Sequence, residues 1–125
     1  MKKEIHSDKV AAAPHILSQA IEVNGFIFLS GQIGTDNAWN LINGGIQAET
    51  KKSLENIKVL LEENDCGMDD IVKVTLYVTN LSTGKEINEI YQTFFTSPLP
   101  AREMLEVSAL PLGASIEISV IAVKN

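Results

Sequence analysis

Cysteine occurs only once in the 125 residues, as Cys66. A lone thiol cannot close an internal disulfide, so a disulfide-framed scaffold is excluded and a reducing compartment fits best. Histidine is almost as scarce: His6 and His15 lie near the N-terminus, with no metal-ligand spacing to a cysteine or an acidic cluster. That argues against a metal site. Basic residues are outnumbered, ten against sixteen acidic ones, for a net charge of −6. The positive footprint that a phosphate backbone requires is missing, which makes nucleic acid a poor candidate partner. No apolar run reaches the roughly 18 residues expected of a membrane span, and the Met1–His6 stretch carries no apolar signal segment. These absences predict a soluble, cytoplasmic protein. Gly31, Gly34, Gly44 and Gly45 lack the Lys-Ser/Thr ending of a phosphate loop, and no dinucleotide fingerprint or other cofactor motif is present. Ser18 and Ser30 have no evident His/Asp partners for a hydrolase triad.

What is there is a chain with 45% hydrophobic residues, enough for one modest core and one domain over residues 1–125. Lys2 to His6 reads as a short edge strand. Pro14 argues against both a helix and a central strand in the irregular stretch Val10 to Leu17. Gln19–Val23 and Phe26–Ser30 are joined by Asn24-Gly25, the signature of a two-residue hairpin turn. In that register Val23 faces Phe26 and Ile21 faces Phe28 on one sheet face, with Ala20, Glu22, Ile27 and Leu29 on the other. Trp39 stands alone in a polar loop, as an anchor or an interface contact.

Apolar residues recur at the helical period from Ile46 to Asn64, with Gly67 as the expected stop. Ile71–Thr79 reads as a strand with Val72, Val74, Leu76 and Val78 on the core face. A second helix follows, carrying Ile87, Ile90/Tyr91 and Phe94/Phe95. Thr83 and Glu86 have the spacing of a capping box, and Ser97-Pro98 marks the helix end. Two terminal strands complete the order β-β-α-β-α-β-β, with the extra strand in front. Two helices cover one face of a sheet, so the apolar residues of the second face predict association between copies.

Two charges stand out against the strand patterns. Alternation puts Arg102, Met104, Glu106 and Ser108 on one face, opposite Leu105 and Val107. Glu117 shares a face with Ser119, Ile121 and Val123, an apolar setting where a carboxylate is rarely placed without a partner. An arginine fork suits a carboxylate ligand, and a half-buried carboxyl can exchange protons with water or substrate. These parts fit proton transfer or hydrolysis on a small carboxylic acid, and equally a plain binding pocket.

Several stretches, in order, resemble one family. They are Ser18-Gln-Ala20, Ser30-Gly-Gln-Ile33, Leu54-Glu-Asn-Ile-Lys58, Asp70-Ile-Val-Lys-Val-Thr75, Asn88-Glu-Ile-Tyr-Gln-Thr-Phe-Phe95, Pro100-Ala-Arg102, Leu110-Pro111 and Ile116-Glu-Ile118. Together they are similar to the RidA family, also called YjgF or L-PSP endoribonuclease-like. The resemblance implies a chorismate-mutase-like α/β fold with a mixed, mainly antiparallel sheet and two helices on one face. It also implies a homotrimer with clefts between subunits, and hydrolysis of 2-iminobutanoate and 2-iminopropanoate to 2-keto acids and ammonia, without a cofactor. Arg102 then matches the residue that holds the substrate carboxylate, and Glu117 the one that positions water. Ser30, Gly31 and Gln32 match the cleft wall, and Asn88 a pocket-side residue of the second helix. Leu17 stands where the family carries a pocket tyrosine, and Met104 shares Arg102's face and is placed to narrow the pocket. These exchanges leave room for a more apolar or larger imine. Competing readings are a non-catalytic binder of small 2-keto acids and a ribonuclease or translation inhibitor.

Overall fold

The computed structural model describes residues 1–125. Its strands are β1 (Lys3–Ile5), β2 (Ala20–Val23), β3 (Phe26–Leu29), β4 (Ile71–Val78), β5 (Ala101–Glu106) and β6 (Ile116–Val123). Its helices are α1 (Gly45–Glu62) and α2 (Gly84–Tyr91). The strands form one sheet in the order β1-β2-β3-β6-β4-β5. Every pairing is antiparallel except that of β4 with β5, which α2 connects as a crossover. This is the predicted mixed α/β architecture.

The Asn24-Gly25 turn sets the first hairpin. Both residues take positive φ, 52° and 83°, as a two-residue turn matched to strand twist requires. Val23 pairs with Phe26 and Ile21 with Phe28, as the sequence predicts. Ala20, Ile27 and Leu29 then point into the core. Along β6 the alternation is complete: Ile116, Ile118, Val120 and Ala122 are buried, while Glu117, Ser119, Ile121 and Val123 are half-buried on the far face. The helices cover the first of these faces. Thr50, Ser53, Leu54, Ile57, Leu60 and Leu61 of α1, with Ile87 of α2, are fully buried against it.

Four expectations are corrected. Val72 is 46% exposed and Ile71 buried instead, because the β4–β6 register slips by one residue between Ile71 and Lys73. An extra residue in one strand turns its neighbours to the opposite face. The chain leaves α1 through Asp65 in the left-handed region at φ 57°, whereas Gly67 is extended. Thr83 makes no side-chain cap; Asn80 does, its Oδ1 accepting from the Ser82 N–H at 3.0 Å. Finally, α2 ends at Tyr91 and runs on through a 3-10 turn to Phe94, short of Ser97-Pro98.

The face away from the helices carries Phe26 and Phe28, 46% and 44% exposed, their ring centroids 6.3 Å apart. Leu105 of the edge strand is 40% exposed on the same side. It pairs with Tyr77, which pairs in turn with Glu117. No helix is long and apolar enough to cross a membrane.

Candidate active site

Arg102 lies opposite Val74 in the parallel β4–β5 ladder, on the helix side of the sheet. Because β5 is an edge strand, the guanidinium stays exposed while its base rests on α2. Its Cζ lies 4.6 Å from the centroid of the Tyr91 ring, and Nη2 donates to Asn88 Oδ1 at 2.8 Å. Asn88 and Tyr91 are three apart on α2 and so share the face that meets β5. That hydrogen bond is the one the chain gives this side chain, out of five N–H donors in a planar fork. The remaining donors suit a carboxylate. Burial pushes the Tyr91 hydroxyl pKa up, against the opposing pull of Arg102, and the hydroxyl oxygen has no hydrogen-bond partner. Around these groups is an open cavity of about 460 Å³, whose walls include Gln92, Phe95, Ser97 and Leu99.

Glu117 lies on the other side of the sheet. Its carboxyl is half-buried and has neither a hydrogen-bond partner nor an ion pair, and burial pushes its pKa up. It enters a cavity of about 570 Å³ walled by Ala13, Ile16, Leu17, Ser30, Gly31, Ile33, Trp39, Pro111 and Leu112. Gly31 is required by contact. A Cβ there would lie 2.8 Å from Glu117 Cδ and overlap Oε2. The approach follows from the chain leaving β3 alongside β6, where the Gln32 and Ile118 backbones exchange hydrogen bonds of 2.8 and 2.9 Å. Ser30 is in the wall, but its hydroxyl is committed, donating to Ser18 O at 2.7 Å.

The chain therefore brings together Arg102 with Asn88, and separately Glu117 with Leu17, Ser30 and Gly31. The two cavities share no residue. Gln32 and Met104 line neither. Gln32 is buried, its amide donating to Ser30 O at 3.2 Å, and Met104 packs against the core. Glu103 points away from Arg102, within 3.6 Å of Lys73 Nζ. Sequence reasoning missed Tyr91 as the platform for Arg102, although the Asn88/Tyr91 spacing was readable. It also missed Ile16, Ile33 and Leu112, whose loops carry no periodicity. Cys66 is buried and its thiol pKa is pushed up, first by burial and then by Asp70. That leaves it a poor nucleophile. No group of three His, Cys, Asp or Glu side chains is placed to hold a metal ion.

The profile of the family described as Endoribonuclease L-PSP matches residues 8–124. The chain belongs to the RidA, or L-PSP endoribonuclease, family. This RidA-family chain is 45% identical to a RutC family protein of Buchnera aphidicola over 100% of its length and 99% of the relative's. It is 38% identical to the 2-iminobutanoate/2-iminopropanoate deaminase of Mus musculus, over 100% of this chain and 93% of that one. Among solved structures, E. coli TdcF with bound serine superimposes with a TM-score of 0.92 at 30% identity. That match covers 98% of this chain and 99% of that one. This RidA-family chain thus presents two separate charged groups: an arginine with spare donors, and a half-buried carboxyl without a partner.

Proposed function

We propose that this protein hydrolyses 2-imino acids, and their enamine tautomers, to 2-keto acids and ammonia. The observation that carries the reading is the pair of incomplete half-sites. Arg102 has donors for a carboxylate, Glu117 has an unpartnered carboxyl, and they lie on opposite faces of one sheet. A second copy seated on the exposed Phe26/Phe28 face would set one chain's Arg102 against another's Glu117. Three copies around an axis would close three equivalent clefts, in keeping with the apolar face left open by the helices. Relatives bearing the deaminase name support the reaction class.

In such a cleft Arg102, steadied by Asn88 and the Tyr91 ring, grips the substrate carboxylate through paired hydrogen bonds. Water attacks C2 of the iminium, and its proton passes to the Glu117 carboxylate. Glu117 then returns that proton to the amino nitrogen of the tetrahedral adduct. The C–N bond breaks, and C2 becomes the ketone as the adduct's hydroxyl gives its proton to the Glu117 carboxylate, which passes it to the departing ammonia, so that ammonium leaves and Glu117 is restored. A carboxyl whose pKa burial has raised suits both halves of this exchange.

The test is keto-acid release from freshly generated 2-iminobutanoate. The protein should accelerate it, and Arg102→Ala should lower the acceleration at least about 100-fold, as loss of a charge-stabilising donor does. No acceleration across several 2-imino acids would overturn the reading. Saturable 2-keto acid binding without turnover would instead favour a small-carboxylate binder, the reading that Leu17 in the Glu117 cavity favours.

A further inference from the structure

We infer that the Glu117 cavity selects 2-imino acids bearing a bulky apolar side chain, such as those formed from leucine, methionine or phenylalanine, over 2-iminopropanoate and 2-iminobutanoate. The inference rests on the hydrolase reading above and names the substrate class for the same site. The cavity measures about 570 Å³. A methyl or ethyl group beside Glu117 would reach little of the apolar wall on this side of the cleft. Its walls are apolar where a side chain would lie: Ile16, Leu17, Ile33, Trp39, Pro111 and Leu112. In the single chain Ile16 is 72% exposed and Leu112 57%, so this half of the cleft offers an apolar surface to whatever enters it. Covering it is favourable roughly in proportion to the area removed from water.

Little in the cavity could satisfy a polar side chain. The Ser30 hydroxyl is already donated to Ser18 O at 2.7 Å. Glu117 repels a second carboxylate and is needed for water. Imines with acidic or amide side chains would therefore be buried without partners, a penalty that discriminates strongly.

The walls are also fixed in advance. Trp39 Nε1 donates to Ala12 O at 3.0 Å, which holds the indole in the cavity wall. The loop around it is held by Asp36, which accepts from the Ala38 and Asn40 N–H groups at 2.9 and 3.0 Å. Leu112 sits at φ 58° on its turn. A wall already held in place loses little ordering entropy when a ligand packs on it.

The experiment generates imines in situ from single amino acids with a broad L-amino-acid oxidase plus catalase, and follows competition between hydrolysis and semicarbazide trapping. The imines of leucine, methionine and phenylalanine should show kcat/KM at least about 10-fold above that of the alanine imine, and the glutamate imine should fall below all of them. Leu17→Tyr, which fills the cavity, and Leu112→Asn, which keeps a residue tolerant of positive φ but makes the wall polar, should each shrink the large-to-small ratio. Equal rates, or a preference for the alanine imine, would overturn the inference while leaving the hydrolase reading intact. If no imine is accelerated the hydrolase reading falls, and the pocket is read by calorimetry. There 4-methyl-2-oxopentanoate should bind about 10-fold tighter than pyruvate, and equal affinities would overturn the inference.

Discussion

Glu117 and Gly31 form a unit in which one residue's missing side chain makes room for the other's carboxyl. In Gly31→Ala the new methyl would overlap Oε2, and the carboxyl, as the far end of a flexible chain, would swing aside. Turnover should drop about 10- to 100-fold, as a misplacement of about 1 Å at a reacting group does. The thermal melting point should barely move, since backbone need not shift. Unchanged turnover would show that the carboxyl need not occupy this place. The raised pKa of Glu117 has a consequence for stability as well. The folded state holds this proton more tightly than the unfolded chain, so the group favours folding at pH below its ordinary value. That favour is lost as pH rises through the folded-state pKa. Glu117→Gln should therefore raise the melting temperature at pH 7 and change it less at pH 4. A larger gain at the lower pH would contradict burial as the cause.

At the scale of elements, the start of α2 separates spacing from geometry. Thr83 and Glu86 have the spacing of a capping box, yet the Thr83 hydroxyl donates to Asn80 O at 2.7 Å while Asn80 Oδ1 accepts from both the Ser82 N–H and its hydroxyl. Asn80→Ala should lower stability by about 1 kcal/mol in urea denaturation, and Thr83→Ala by less than about half of that. The reverse order would restore the capping box. Similar reasons decide what could be read elsewhere. The hairpin and β6 were legible because turn chemistry and strict alternation act within a few residues. The β4 bulge was not, since Val72 has the apolar character of a core residue and only its pairing with β6 turns it outward. Asn56 shows the same limit: it is buried within the α1 stripe to donate to Thr35 O at 3.1 Å, a partner 21 residues away. Arg102 and Glu117 were legible as charges out of pattern. That they leave the sheet on opposite sides depends on which face the helices chose.

For the molecule as a whole, the proposed function turns on the open face of the sheet. Phe26, Phe28, Leu105 and Val72 are each at least 40% exposed, apolar side chains that a second copy would cover. Arg102 and Glu117 flank the same sheet without meeting, so the proposed hydrolysis needs one group from each of two chains. Mixing tests this directly. Arg102→Ala and Glu117→Gln chains, each inactive alone, would be unfolded together at equal amounts and refolded. If three clefts each take Arg102 from one copy and Glu117 from the next, random assembly should restore about one quarter of wild-type turnover. Recovery near that fraction is the expected result, whereas a mixture as inactive as its components would contradict a site shared between chains.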